Sequence, residues 1–491
     1  MNQHNLGRTD VVRKLIIDGR FVMPVEGRTF GTYNPSTGEL LATVAEGDAR
    51  DIDLAVAAAR RAFEGPWSKF TPFQRQEVIL KFADLVDRHF EEFSQLDTLD
   101  MGMPITMTRG RRQRAIGMLR MYASMCVTIG GRTLPNSLPG DVFAYTLKEP
   151  VGVVGAITPW NAPLTGTIWK IGPVLATGCT MVLKPAEDAP LTALRLGELA
   201  LEAGVPPGVV NVVPGPGTVA GAALAAHMDV DKIAFTGSDA TGRRIIEASK
   251  GNIKRLMLEL GGKSPDIVFA DADLDKAVAG TAMGIFGNSG QICSAGSRLL
   301  VERSIYDSFV ERVADFAKAL KVGNGIEPDT QIGPVVSSKQ MERVQSYLGL
   351  GVGEGAEVVA GGNRLVDGQL AQGYFLAPTV MKNVRQTMRI AQEEIFGPVV
   401  TAIPFDDVGE ALRIANSTVY GLGSGVWTRD VAKAHGVAKG IRSGTVWVNC
   451  YGVLDPVIPF GGYKMSGYGR ESGIDHVEEY LATKAVVLQN G

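Results

Sequence analysis

The sequence predicts an α/β protein built on two sheets, and three observations carry that expectation. From Val151 onward short apolar segments alternate with helical stretches, and a second alternating region starts near Gly261. The 60 glycines are scattered over 491 residues without a fixed period, which suits tight turns and close backbone approaches rather than a fibre. In the first region strands are expected at 151–157, 180–184, 209–213, 232–237 and 255–260, with helices at 191–203 and 241–249. Apolar runs joined by helices signal a parallel sheet covered on both faces, which binds ligands beyond its strand carboxyl ends. In the second region 298–302, 399–405, 425–428 and 445–449 are the strand candidates.

Before these regions, Asp18-Gly19 between apolar residues predicts a hairpin. Thr71-Pro72 supplies an N-cap and a first-turn proline, and Ile79, Phe82, Leu85, Val86 and His89 share one face of the helix that follows. Two flanking segments, 142–148 and 485–488, alternate or run apolar yet fit neither sheet. They are expected to be edge strands where subunits meet.

Hydrophobic residues make up 45% and charged residues 21%, enough to bury large cores. A net charge of −3 offers no global basic field, so neither nucleic acid nor an anionic membrane is expected as a partner. Cys126, Cys179, Cys293 and Cys450 lie far apart with no metal-ligand spacing, so no metal is expected and a reducing compartment is. The N-terminal MNQHNLGRTDVVRK lacks the apolar core of a signal peptide, and no apolar run is long enough to span a bilayer. A soluble, cytoplasmic protein is expected.

Several short motifs carry chemistry. Phe286-Gly287-Asn288-Ser289-Gly290-Gln291-Ile292-Cys293-Ser294 sets a thiol just after a glycine-containing turn; a buried inert cysteine is the alternative. Leu258-Glu259-Leu260-Gly261-Gly262-Lys263 puts one carboxylate at a strand end before two glycines, where partial desolvation would raise its pKa toward a general base's; a solvated strand-terminal Glu is the alternative. Ile157-Thr158-Pro159-Trp160-Asn161 ends the first parallel strand, and Lys184-Pro185-Ala186-Glu187 ends the second with a cation and a carboxylate. Phe235-Thr236-Gly237-Ser238 ends the fourth and opens a helix whose free N–H groups suit a pyrophosphate. Gly215-Pro216-Gly217 opens the preceding helix but lacks the rest of a dinucleotide fingerprint.

With TPWN, KPAE, FTGS, LELGGK, GQIC, EEIFGPV from Glu393 and PFGGYKMSGYGRE from Pro459 in that order, the chain resembles the aldehyde dehydrogenase superfamily along essentially its whole length. The resemblance implies a Rossmann-type cofactor domain (1–131 and 150–260), an α/β catalytic domain (261–472) and a β oligomerisation arm (132–149 and 473–491), assembled as a homodimer or homotetramer. It implies that Cys293 attacks an aldehyde, that Asn161 and the Cys293 N–H hold the oxyanion, and that Glu259 activates water to hydrolyse the thioester. Glu471 matches a second family carboxylate proposed to help move protons, with an exposed, merely solvated Glu as the alternative. NAD is the implied cofactor and NADP a poorer one. Its implied contacts are Lys184 and Glu187 at the adenosine ribose, Trp160, Gly237 and Ser238 near the pyrophosphate, and Gly217 by the adenine. Glu394 is implied at the nicotinamide ribose, Phe396 packs by the nicotinamide, and Ile157 and Leu260 belong to the same cofactor site.

A substrate tunnel is implied at Ala162, Gly166 and Gly287, where relatives often carry larger side chains, and at Trp169, Leu454 and Phe460 on the apolar walls. The small residues predict bulky apolar or aromatic aldehydes, unless a loop closes into the vacated space. Two other activities remain open at this point. A CoA-acylating semialdehyde dehydrogenase would dispense with Glu259, and a cysteine hydrolase would need a base for Cys293 that none of His4, His89, His227, His435 and His476 supplies from within a motif.

Overall fold

The computed structural model describes residues 11–490. Most of the N-terminal segment, with His4, and the final Gly491 lie outside the described residues. The first sheet has eight strands in the order Gly467–Tyr468, Arg255–Glu259, Lys232–Thr236, Val153–Thr158, Thr180–Pro185, Val210–Val212, Leu15–Ile17 and Arg20–Val22. Its five central strands are parallel and the outer ones antiparallel. The strands 153–158, 180–185 and 210–212 are buried throughout, as both-face coverage requires. From Val153–Thr158 the chain winds outward to one side and then returns to the other, so a crevice opens beyond the carboxyl ends of Val153–Thr158 and Lys232–Thr236. Trp160, Asn161, Gly237, Ser238 and Glu259 all follow or end strands at that crevice.

The second sheet has seven strands, ordered Glu357–Ala360, Thr379–Lys382, Val399–Phe405, Arg298–Glu302, Pro265–Val268, Gly423–Trp427 and Thr445–Val448, with only the first pair antiparallel. Among the described residues no helix is long and apolar enough to cross a membrane.

Local chemistry explains the smaller elements. Asp18 and Gly19 both take positive φ (54° and 70°), the geometry of a two-residue hairpin joining Leu15–Ile17 to Arg20–Val22. Thr71 caps the helix Pro72–Arg88 in a reciprocal box with Gln74, and Ile79, Phe82, Leu85 and Val86 are buried. His89 does not join that face: the helix ends at Arg88, and His89 turns to Glu92 (3.0 Å).

The two flanking segments that fit neither large sheet pair with each other. Val142–Pro150 runs antiparallel to Leu481–Gln489 over nine residue pairs, with Thr133–Leu134 on its other edge. Leu481–Gln489 is the end strand of this three-stranded sheet, so its outer backbone edge is unpaired within the chain, and Phe143, Leu147, Val487 and Leu488 stay exposed. Gly467–Tyr468 pairs with Arg255–Glu259 in the first sheet, and the helix Gly473–Glu478 packs on the helices Arg112–Met125 and Pro163–Thr177.

Gly467 opposes Glu259 in that pairing, has φ +106°, and a Cβ there would overlap the Leu258 carbonyl. Gly467→Ala is therefore expected to cost at least about 2 kcal/mol through backbone strain and overpacking. A thermal melt in which the variant matches the parent would contradict this account.

Candidate active site

Cys293 is delivered by a strained turn. The helix Leu274–Phe286 ends and Asn288, Ser289 and Gly290 follow with φ of 51°, 56° and 71°. Surrounding bonds hold them there. Ser289 Oγ donates to the Gly333 carbonyl (2.7 Å), Gln291 Oε1 accepts from the Val336 N–H (2.9 Å), and a Cβ on Gly290 would overlap the Gly397 carbonyl. Asn161 is part of the same lock: its Nδ2 donates to the Gln291 carbonyl (2.8 Å) and its own carbonyl accepts from Asn288 Nδ2 (3.1 Å). An amide nitrogen carries two hydrogens, so Asn161 keeps one for a ligand beside Cys293.

Cys293 is partly exposed, unlike the buried Cys126 and Cys179. Its thiol is pushed above the ordinary cysteine range, first by desolvation and then by the carboxylates of Glu394, Glu259 and Glu471. Glu259 ends its strand 3% exposed, with neither carboxyl oxygen hydrogen-bonded. Desolvation foremost, and the charge of Glu471 next, hold its pKa well above the usual carboxylate value. The loop with Gly461 closes over it, since a Cβ on that glycine would stand 2.7 Å from Glu259 Oε1.

Glu471 departs from the solvated alternative. It is 1% exposed, ion-paired with Lys170, and accepts from Thr236 Oγ1 (3.3 Å). Lys170 Nζ also donates to Thr236 Oγ1 (2.9 Å). Lys170 and Thr236 were not singled out from the sequence. The available signal was a lone charge in the apolar helix Pro163–Thr177, since a fully buried Lys almost always has a partner.

The cofactor candidates also converge. Glu187 bridges Lys184 Nζ (2.7 Å) and the Gly217 N–H (2.6 Å), joining the ends of two strands. Ser238 caps the helix Asp239–Ala248, and the Gly237 N–H donates to the Glu259 carbonyl (3.0 Å). Leu260 lies against Gly242 of that helix, where a Cβ would come within 2.9 Å, and shares a core cluster with Ile157. Glu394 accepts from the Gly262 N–H (3.0 Å) and is pushed up to about 7 by desolvation. Phe396, with φ 61°, meets Trp160 edge to face at 5.3 Å. An amine–carboxylate pair for ribose hydroxyls, a helix N-terminus for a diphosphate and a partly exposed carboxylate make a donor set that fits a dinucleotide.

Beside Cys293 lies an apolar wall of Leu422, Trp447 and Phe460, with Trp169, Leu454 and Cys450 packed against it. Trp169 stacks on Phe460 (6.0 Å, 6° between planes) and donates to Ser472 Oγ (2.8 Å). Phe460 and Glu471 exchange both backbone hydrogen bonds at 2.7 Å, so this wall and the buried acid are one unit. Ala162 sits just before the helix Pro163–Thr177. Gly166 faces open space, with only Pro159 Cδ at 3.8 Å from a Cβ there. The space off Gly287 is not left empty: Met107 Cε lies 3.4 Å from where its Cβ would be.

The Aldehyde dehydrogenase family profile matches residues 21–486. The chain belongs to the aldehyde dehydrogenase family. It is 50% identical over 479 residues to aldehyde dehydrogenase family 2 member B4, mitochondrial, of Arabidopsis thaliana, covering 96% of this chain and 88% of that one. It is 48% identical over 479 residues to the mitochondrial benzaldehyde dehydrogenase of Antirrhinum majus, with the same coverage. The NAD+ complex of an aldehyde dehydrogenase from Bacillus cereus superposes with a TM-score of 0.95 at 48% identity, covering 98% of this chain and 97% of that one.

Family membership sets aside the cysteine hydrolase, and the histidines agree. His476 is buried and bonded to Tyr122 (2.8 Å) and Ser472 (3.1 Å), His227 pairs with Asp53, and His435 is exposed. An aldehyde dehydrogenase site with an unpartnered buried carboxyl also has a signature in stability. Because the folded state raises the pKa of Glu259, it binds that proton more readily than the unfolded chain. Stability from this group is full below the ordinary Glu range and lost as pH climbs from there toward the raised folded value. Glu259→Gln cannot ionise, so its Tm relative to the parent should rise with pH above the ordinary Glu range, by about 1 °C for each kcal/mol relieved in a chain of this length. A Tm difference flat with pH would contradict the assignment.

Proposed function

We propose that this enzyme oxidises an aldehyde to the carboxylic acid with NAD, through a thioester on Cys293 hydrolysed by water that Glu259 activates. The observation that carries this reading is the placement of a partly exposed thiol within the field of an unpartnered, desolvated carboxyl, beside an amide pinned to the nucleophile's own turn. The Cys293 thiolate adds to the carbonyl carbon, and the free hydrogen of Asn161 Nδ2 with the Cys293 N–H holds the oxyanion. NAD, when bound, supplies the hydride acceptor. Glu259, once ionised, takes a proton from water attacking the thioester, and its raised pKa makes it a competent base near neutral pH. Glu471, fixed by Lys170 and Thr236, is the next carboxylate inward.

The intact Glu259 favours hydrolysis over transfer of the acyl group to CoA. Lys184 and Glu187 hold the adenosine ribose, Gly217 borders the adenine, Trp160, Gly237 and Ser238 border the diphosphate, and Glu394 and Phe396 face the nicotinamide end. The Glu187 carboxylate disfavours the extra phosphate of NADP, and Lys184 softens that discrimination. Exposed Phe143, Leu147, Val487 and Leu488 on the paired arm support a homo-oligomer.

Cys293→Ala should abolish aldehyde oxidation while NAD binding by calorimetry is retained. Glu259→Gln should give a single-turnover burst of NADH and an acyl-enzyme visible by mass spectrometry, with slow steady-state turnover. Normal turnover in either variant would refute the mechanism.

Gly166 and Ala162 leave room beside the Trp169–Phe460 wall, and the relative from Antirrhinum majus is named for benzaldehyde. Aromatic or medium-chain aldehydes should exceed acetaldehyde in kcat/KM by at least roughly tenfold, the worth of about two buried methylenes. Gly166→Met should penalise benzaldehyde and hexanal more than acetaldehyde. Equal values across that panel in the parent enzyme would count against an open tunnel.

A further inference from the structure

Five arginines lie between residues 109 and 120, and they divide into two sets. Arg109, Arg112 and Arg120 pair with Glu91, Asp87 and Asp84 on the neighbouring helices. Arg111 and Arg114 do not: among the described residues neither side chain has an ion pair or hydrogen bond, and Arg111 Nη1 and Arg114 Nε are buried without a partner. They are close enough that the charge of Arg114, after burial, helps push Arg111 down to about 10. The nearest acid acting on Arg111 is Asp97, whose oxygens are committed to Thr192 Oγ1 (2.7 Å) and the Leu164 N–H (3.4 Å). Both side chains are half-buried, and two adjacent guanidiniums partly withdrawn from water without a counter-ion carry a cost that a ligand supplying the missing charge would offset.

Their position ties them to the tunnel. Met107, Arg111, Arg114 and Gly117 follow at spacings of four, three and three, one face of the helices Ile105–Gly110 and Arg112–Met125, which Arg111 joins in helical conformation. At one end of this stripe Met107 fills the space off Gly287, six residues before Cys293. At the other, a Cβ on Gly117 would stand 3.4 Å from Pro456, two residues beyond Leu454. Alongside, Asp97 holds the first turn of the helix that carries Gly166 and Trp169.

We propose that Arg111 and Arg114 receive a carboxylate at the far end of the substrate, so that the preferred aldehydes bear an anionic group beyond an apolar mid-section. This rests on the reading of Cys293 as the reacting centre. A guanidinium binds a carboxylate through paired, charge-assisted hydrogen bonds, and two of them in an apolar wall select for charge where the wall alone selects for size.

The test compares kcat/KM for 4-carboxybenzaldehyde with benzaldehyde, and for 6-oxohexanoate with hexanal, in the NAD-loaded enzyme. The carboxylated member of each pair should win by at least tenfold. In Arg111→Gln/Arg114→Gln that ratio should fall at least tenfold, mainly through KM. Should the double variant not fold, the parent enzyme still decides: terephthalate, the oxidation product of 4-carboxybenzaldehyde, should raise its Tm where benzoate does not. Neutral aldehydes oxidised as well as or better than their carboxylated counterparts, or a ratio unmoved by the double substitution, would overturn this proposal alone. No oxidation of any of the four would overturn the functional reading, and this with it.

Discussion

The chain crosses from its first sheet to its second through residues 259–264, and the two glycines in that crossing set how closely the halves of the site can approach. A Cβ on Gly262 would overlap the Cys293 carbonyl, and one on Gly261 would overlap the Glu394 carboxylate. Only backbone fits between them. The strand ending in Glu259, the turn bearing Cys293 and the loop bearing Glu394 can therefore meet at one point, with the Gly262 N–H bonded to Glu394. Without that approach the carboxylates would not act on the thiol at all, since their influence falls with distance and with any water admitted between them.

That convergence sets the electrostatics. Two carboxyls, Glu259 and Glu471, are both buried near Cys293, yet their surroundings differ. Glu471 has Lys170 and Thr236 and sits in a satisfied network. Glu259 has no partner, and the neighbouring negative charge adds to its desolvation. Desolvation foremost, and then the carboxylates of Glu394, Glu259 and Glu471, raise the pKa of the Cys293 thiol.

The tunnel follows from helix packing more than from the nucleophile's own loop. The Trp169–Phe460 stack is tied to Glu471 by the paired backbone bonds of Phe460. The opposite wall is a helical stripe whose Met107 occupies what Gly287 leaves free, and methionine adapts its shape at little cost. Size selection in such a site is soft.

Much of this was legible along the chain because it is encoded locally. The parallel strands, the Asp18-Gly19 hairpin and the Thr71 cap each depend on a few adjacent residues whose conformational preferences agree with the final fold. The ordered motifs placed Cys293, Glu259 and Asn161 on successive strand and helix ends, which is where such a sheet opens. What sequence could not settle are facts about distant residues sharing space. His89 looked like part of an apolar face and lies past the helix end. Glu471, for which a solvated side chain was the alternative, is buried on Lys170, 301 positions away. The strands 142–150 and 481–489 looked unpartnered and complete each other. Met107 and the pair Arg111 and Arg114 gave no motif, and what Met107 packs against lies far off in sequence. Sequence determined the elements and the reactive groups, since propensity and chemistry are properties of single residues and near neighbours. Tertiary structure alone decided which charges are desolvated and which are paired, since burial and pairing exist only once remote segments pack.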